Sequence, residues 1–276
     1  MRITRAMELI AASRIVRAQQ RVRQARPYAE LITSILTNVT SRETDLAHPL
    51  LEERPERKAA AVFVVTSDRG LCGAYNSSVL RRAEELFAKL RADGMEPKLY
   101  VTGRKGLSYF RFRDRPIAGS RTGFSEQPTY EDARMLADEL IGAFVDGEVD
   151  EIHGVYTEFA SMLTQRPAAR RFVPLEVEEV EGPPKAVPLY LFEPGPEALL
   201  AQLLPRYVEE RVYAAMLESA ASEQAARRRA MSAATTNAEE LIKVYTRVAN
   251  QARQAEITQE IMEVVGGAEA MSGGSA

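Results

Sequence analysis

A hydrophobic run, Ala59-Ala-Ala-Val-Phe-Val-Val-Thr66, leads directly into Ser67-Asp-Arg-Gly-Leu-Cys-Gly73. A glycine-containing turn after a buried strand is the setting in which backbone N–H groups cradle phosphate. The spacing argues against it here. A phosphate loop needs GxxxxGK[ST], with a lysine to reach the phosphates and a hydroxyl to hold magnesium. Gly70 and Gly73 lie three apart and no Lys-Ser pair follows. The segment reads instead as a tight strand-to-helix turn, and Gly103-Arg-Lys-Gly106 is a weaker phosphate candidate still.

The remaining reactive side chains are few. Cys72 is the one cysteine, so no disulfide forms within the chain, and His48 and His153 are the only histidines. A nucleophilic cysteine needs a base in reach, and neither histidine stands in a motif that supplies one. Cys72 is expected to be a buried or half-buried structural thiol and His153 a packed or surface residue of a strand. These three side chains make no usual zinc set, and HxxxH and CxxC spacings are absent. The composition supports no cofactor.

Positive charge gathers at the amino end. Residues 1–26 hold seven arginines against one acid, Glu8, a net of +6, and Arg227-Arg-Arg229 forms a second cluster. The whole chain nevertheless carries −3, which gives no global pull toward an anionic partner. Aromatic residues do not interleave with the arginines, so nucleic acid is not the expected partner. A solvated helix face, or an acidic protein surface, accounts for the charge. The longest apolar run, Ala59–Val65, falls far short of the roughly 20 residues a membrane helix requires, and residues 1–26 do not read as a secretory signal.

The elements that carry these residues differ between the ends and the middle. Ile15, Ala18, Val22, Ala25, Ala29, Ile32, Leu36 and Val39 follow in alternating steps of three and four, the coiled-coil period. Pro27 lies within this seam and predicts a bend in a single helix that ends near His48-Pro49. Tyr213, Leu217, Ala220, Gln224, Arg227, Met231, Ala234, Ala238, Leu241, Tyr245, Val248, Ala252 and Ala255 form a second seam. Between Pro205 and Val265 there is no proline or glycine, which predicts a helix of roughly 90 Å at 1.5 Å per residue. Gly266-Gly267 supplies a stop signal.

The middle predicts an α/β domain. Expected strands are residues 59–66, 98–102, 151–159 and 172–177, with amphipathic helices over about 76–92 and 130–145. Such alternation implies a largely parallel sheet. The acidic, Pro/Gly-rich stretch 176–185 reads as a loop. The domains expected are a coiled-coil helix over 1–48, an α/β domain over 58–195 and a second coiled-coil helix over 203–267. The two alanine-rich seams then pair as a long antiparallel coiled coil.

Three stretches resemble one family. Ile3-Thr-Arg-Ala-Met-Glu-Leu-Ile-Ala-Ala-Ser13 is similar to the amino-terminal helix motif of the gamma (central stalk) subunits of F-type ATP synthases. Thr66-Ser-Asp-Arg-Gly-Leu-Cys-Gly-Ala-Tyr-Asn76 resembles the loop after their first central strand. Ile257-Thr-Gln-Glu-Ile-Met-Glu-Val-Val-Gly-Gly-Ala268 resembles their carboxy-terminal signature, and Ser222-Glu-Gln-Ala-Ala-Arg227 with Ala233-Ala-Thr-Thr-Asn237 fits as well. The resemblance runs in order from residue 2 to about 270. The family pattern has a further helical stretch before the first motif, so the resemblance implies a shortened amino terminus.

The resemblance implies a non-catalytic rotor shaft with a Rossmann-like α/β foot, bound to three alpha and three beta subunits, to epsilon and to the c-ring. It implies a membrane association made only through that complex, at the cytoplasmic face of the bacterial plasma membrane. By motif position Arg5, Met7, Arg227, Gln254, Thr258, Glu260 and Ile261 are expected to meet the alpha/beta collar. His48, Phe192 and Glu193 are expected on the side facing epsilon and the c-ring. Two other readings fit the residues alone: a non-rotary coiled-coil adaptor, and a nucleotide-binding enzyme built on the Asp68-Arg69 turn.

Overall fold

In the computed structural model the described residues are 2–42, 48–52, 54–175 and 195–273. Two helices enclose the chain: α1 (Arg2–Arg42) and α5 (Pro196–Gly273). Between them lie β1 (Ala59–Val65), α2 (Tyr75–Ala92), β2 (Glu96–Thr102), α3 (Arg104–Phe112), β3 (Gly119–Arg121), α4 (Tyr130–Val145), β4 (Glu151–Phe159) and β5 (Gln165–Val173).

The sheet order is β3-β2-β1-β4-β5, with β1 at the centre. The three pairings among β1 to β4 are parallel, and β5 runs antiparallel to β4 along the edge. β1 explains the hydrophobic run that opens the α/β domain. Ala60, Val62 and Val64 face one layer, with Val79, Phe87 and Phe110 of α2 and α3. Ala61, Phe63 and Val65 face the other, with Leu136 and Leu140 of α4, Ile32 and Leu36 of α1, and Leu204 and Val208 of α5. A strand covered on both faces is apolar at every position rather than at alternate ones.

β5 departs from the expected strand at 172–177. It begins at Gln165, and residues 176 and 177 lie outside the described residues. Its Gln165-Arg-Pro-Ala-Ala-Arg-Arg171 sequence hides an edge strand, where one side meets solvent and proline is tolerated. α3 and β3 were not expected at all. Gly103 caps the start of α3; its φ of 90° and the Thr66 carbonyl packed against it leave no room for a side chain.

The end helices run antiparallel. Thr4 near the start of α1 is hydrogen bonded to Thr235 of α5, whereas Ile32 and Leu36 near its other end pack with Leu200 and Leu204. Ile15, Ala18, Ile32 and Leu36 of the first seam are buried, and the helix carries Pro27 in its interior. α5 begins before residue 203 and continues through Gly266-Gly267 to Gly273. Each glycine weakens a helix by about 1 kcal/mol relative to alanine, a penalty but not an obligatory end. From Ser219 to Arg227 every residue of α5 is buried. The helix is enclosed there by α1, by β4 and by the turn after β1, and alanine pairs let all three approach.

Candidate functional site

Past Ala238 the situation inverts. Every residue from Glu239 to Ala268 is exposed, including Leu241, Tyr245, Val248, Ile257, Ile261 and Val264. The second seam continues in sequence, but nothing among the described residues covers it. Gln254, Thr258 and Ile261 lie three and four residues apart and share one helix face. Thr258 spends its hydroxyl on the Gln254 carbonyl at 2.8 Å, so of its side chain the methyl group is what that face presents, beside Ile261 and the Gln254 carboxamide. Glu260 is exposed on the adjoining side.

On α1, Arg5 is exposed and Met7 is half-buried. His48 is half-buried; its Nδ1 accepts from the Leu50 N–H at 3.2 Å, and its carbonyl accepts from Leu51 at 2.9 Å. Burial lowers its pKa against the opposing pull of Glu52. His48 therefore stays neutral near pH 7 and organises the turn that places Leu50 in the core. Phe192 and Glu193 lie outside the described residues.

Arg227 is unlike the other collar candidates. Only 6% exposed, it points inward. Its Nη2 donates to Glu223 Oε1 at 2.7 Å and to the Arg69 and Gly70 carbonyls at 3.4 Å each. Its Nη1 lies 3.4 Å from Glu126 Oε1. Glu126 Oε2 pairs with Arg14 of α1 and lies 3.9 Å from Arg69. Burial raises the Glu223 carboxyl to about 7 despite the Arg227 charge beside it. Sequence reasoning missed Glu126, and with it the convergence of Arg14 and Arg69 on that carboxylate. The Glu223–Arg227 pair was within its reach, because glutamate four residues before arginine is the favoured helical orientation.

The turn that invited a phosphate reading is occupied by its own side chains. Asp68 Oδ2 accepts from the Gly123 and Ser125 N–H groups at 2.9 and 3.0 Å, and Oδ1 accepts from Arg104 N at 3.2 Å. The donors at the start of α3, where an anion would sit, are thus engaged within the chain: Arg104 N by the Asp68 carboxylate, Lys105 N by the Ser67 carbonyl at 3.0 Å and Gly106 N by the Thr66 hydroxyl at 2.9 Å. Asn76 holds Ser67 N at 3.0 Å and reaches Cys72 Sγ at 3.2 Å. Cys72 is 2% exposed, and burial raises its pKa, which keeps it a thiol. Leu71 and Gly73 both take positive φ, 62° and 57°. Among the described residues no group of three or more His, Cys, Asp and Glu side chains is placed to hold a metal, and no helix is long and apolar enough to cross a membrane.

Fold and surface define a shaft protein: an α/β head grips two antiparallel helices, and one of them projects well beyond the other. Comparison with known proteins specifies it. The family model described as ATP synthase matches residues 1–271. The ATP synthase gamma chain of Parafrankia sp. is 59% identical, with 99% of this chain and 94% of that protein covered. That of Mycolicibacterium smegmatis is 57% identical, covering 99% and 93%. Among solved structures, the central stalk/c-ring of Tetrahymena thermophila mitochondrial ATP synthase shares the fold with a TM-score of 0.66 at 23% identity, covering 84% of this chain and 99% of that one. A chain of the Euglena gracilis mitochondrial enzyme aligns with a TM-score of 0.60 at 18% identity, covering 96% and 97%. The chain belongs to the ATP synthase gamma-chain family, the central stalk of the rotary F-type enzyme. It is a subunit of an H+-transporting ATP synthase, a complex peripheral to the membrane in its F1 part.

Proposed function

We propose that this chain turns inside a ring of three alpha and three beta subunits and passes rotation between that ring and a c-ring at the membrane. The observation that carries the reading is the uncovered length of α5. From Leu241 to Gly273 the helix extends roughly 50 Å at 1.5 Å per residue, with large apolar side chains about half exposed along it. A surface that must slide past six neighbours in turn is served by apolar contact, which is non-directional. Fixed hydrogen bonds would have to break at each step.

On this reading Gln254, Thr258, Glu260 and Ile261 face the alpha/beta collar from the tip. Arg5 and Met7 do so from α1. Arg227 serves the same collar region from beneath, by fixing the turn at Arg69-Gly70. The exposed arginines of α1, Arg2, Arg5, Arg17 and Arg23, meet acidic segments of the beta subunits. Exposed ion pairs are worth only about 0–1 kcal/mol each and are readily broken and remade. The foot that includes His48, with Phe192 and Glu193, stands toward epsilon and the c-ring, on the cytoplasmic face of the bacterial plasma membrane. The ordering of residues 1–48, 58–195 and 203–267 into shaft, head and shaft follows the same division of labour.

Co-expression with alpha and beta subunits tests this. Native mass spectrometry is expected to give one copy of this chain for six others. Three or six copies per complex would overturn the rotor reading.

A further inference from the structure

We propose that Glu126 is the torque brace of the shaft neck, a single carboxylate from the head that ties α1 and α5 together where the shaft leaves the head. The inference rests on the rotor reading and adds a positioning residue to it.

The geometry is particular to this residue. Glu126 belongs to neither shaft helix. One carboxylate oxygen, Oε2, takes Arg14 of α1 and Arg69 of the β1–α2 turn, and the other, Oε1, faces Arg227 of α5. Four segments distant in sequence therefore meet on one side chain. The loop that carries Glu126 is itself held down, because Asp68 accepts from Gly123 N and Ser125 N, and Ser125 Oγ accepts from Asp68 N at 2.9 Å. The brace is thereby anchored to the turn that follows the central strand β1.

Its position along the shaft matters as much as its contacts. Below it, Ser219 to Arg227 of α5 are buried on all sides; above it, burial fades through Met231 and Thr235 and ends at Glu239. A rod held at one end and loaded at the other bends most at the point of support. Torsion between α1 and α5 likewise concentrates where the head stops holding them. Rotation of either helix against the other moves Arg14 or Arg227 away from the carboxylate they share. Arg227 Nη1 makes no aligned hydrogen bond, so at 3.4 Å its hold on Glu126 is Coulombic. Such a hold depends on distance more than on angle and survives small twists. At 17% side-chain exposure for Glu126 and 7% for Arg227, the pair is screened little by salt.

The test uses the assembled ATP synthase in inverted membrane vesicles, carrying wild-type chain, Glu126→Gln, Glu126→Asp or Arg14→Gln. ATP hydrolysis and ATP-driven acidification are measured on the same vesicles, with the thermal midpoint of each isolated chain alongside. Glu126→Gln keeps the shape and removes the charge. It is expected to lower protons pumped per ATP by about threefold, because neutralising one partner leaves the guanidinium groups of Arg14 and Arg227 without the shared charge that holds them together. Hydrolysis itself should persist. Glu126→Asp restores part of the ratio, and Arg14→Gln, which leaves Arg69 and Arg227 in place, falls between. A pumping ratio for Glu126→Gln equal to wild type, whatever happens to its melting point, would overturn the brace. If Glu126→Gln does not assemble, the ratio of Arg14→Gln decides on the same terms. Wild-type vesicles that hydrolyse ATP without pumping would overturn the rotor reading, and the brace with it.

Discussion

The hydroxyls of Thr4 and Thr235 are hydrogen bonded at 2.7 Å across 231 residues of sequence. This one contact joins the first turn of α1 to α5 at the level where α5 begins to emerge. It also fixes the antiparallel register, because a slip of one residue on either helix would turn a hydroxyl away. Thr235→Val keeps the side-chain shape and deletes this bond together with the local one to the Met231 carbonyl at 2.9 Å. Back-bonding of that kind inside a helix adds little, so the cost is expected to be about 0.5–1.5 kcal/mol, read as a lowered urea midpoint with an unchanged slope.

Glu210 sits in α5 at 2% exposure, with one carboxylate oxygen buried and unpartnered. Burial alone raises its pKa to about 7. A folded-state pKa above the ordinary carboxyl value of 4.5 means that the folded chain holds the proton more tightly than the unfolded one. Stability is then intact at pH values below 4.5 and declines as pH rises through about 7. Glu223 and Glu218 are raised in the same direction, chiefly by burial. Glu210→Gln should remove its own share, raising stability at pH 8 by about 1–3 kcal/mol while changing little at pH 5. Chemical denaturation at the two pH values measures the difference.

Asp150 works in the opposite sense. Burial pushes its pKa up, but the Lys58 and Ala59 N–H groups at 2.7 and 3.0 Å, with Arg54 at 3.1 Å, outweigh that and lower it. Its contribution is present above the ordinary value of 3.8 and is lost as pH falls through the lower folded value. The carboxylate pins the start of β1 to the start of β4. Asp150→Ala should cost about 2–4 kcal/mol, since it strands two backbone donors and a guanidinium, and should move acid unfolding to higher pH.

Removing residues 257–276 tests whether the tip belongs to the fold. Residues 257–268 are exposed throughout, so the head should keep its stability to within about 0.5 kcal/mol. Near-ultraviolet circular dichroism of the buried tyrosines, followed through thermal melting, checks this. Coupling in the assembled complex should fall. A cooperative loss of head structure would contradict the assignment.

Much of the architecture was legible because it is repetitive. β1, α2, α4 and β4 each carry a local pattern, either a continuous apolar run or an amphipathic stripe, and the structure places them within a residue or two of expectation. α3 and β3 carry no such signal: α3 contains Gly106, and β3 is three residues long. β5 was placed too late because its arginine-rich stretch hides an edge strand. Among the site residues, the exposed tip positions could be read from helical spacing. The inward turn of Arg227 could not, since arginine is rarely buried and its partner Glu126 lies 101 residues away in the chain.

The sequence by itself determined two long helices at the ends, an α/β domain between them, and membership of the gamma-chain family through motifs spread over nearly the whole length. Helical and strand periodicity depend on neighbours a few residues apart, so they survive in a string of letters. Tertiary structure alone decided where the second seam stops being covered. Leu217 and Tyr245, four heptads apart, occupy equivalent seam positions, yet one is 2% exposed and the other 68%. Periodicity says which face of a helix is apolar. Whether another element reaches that face depends on contacts between residues far apart in the chain, which periodicity does not record.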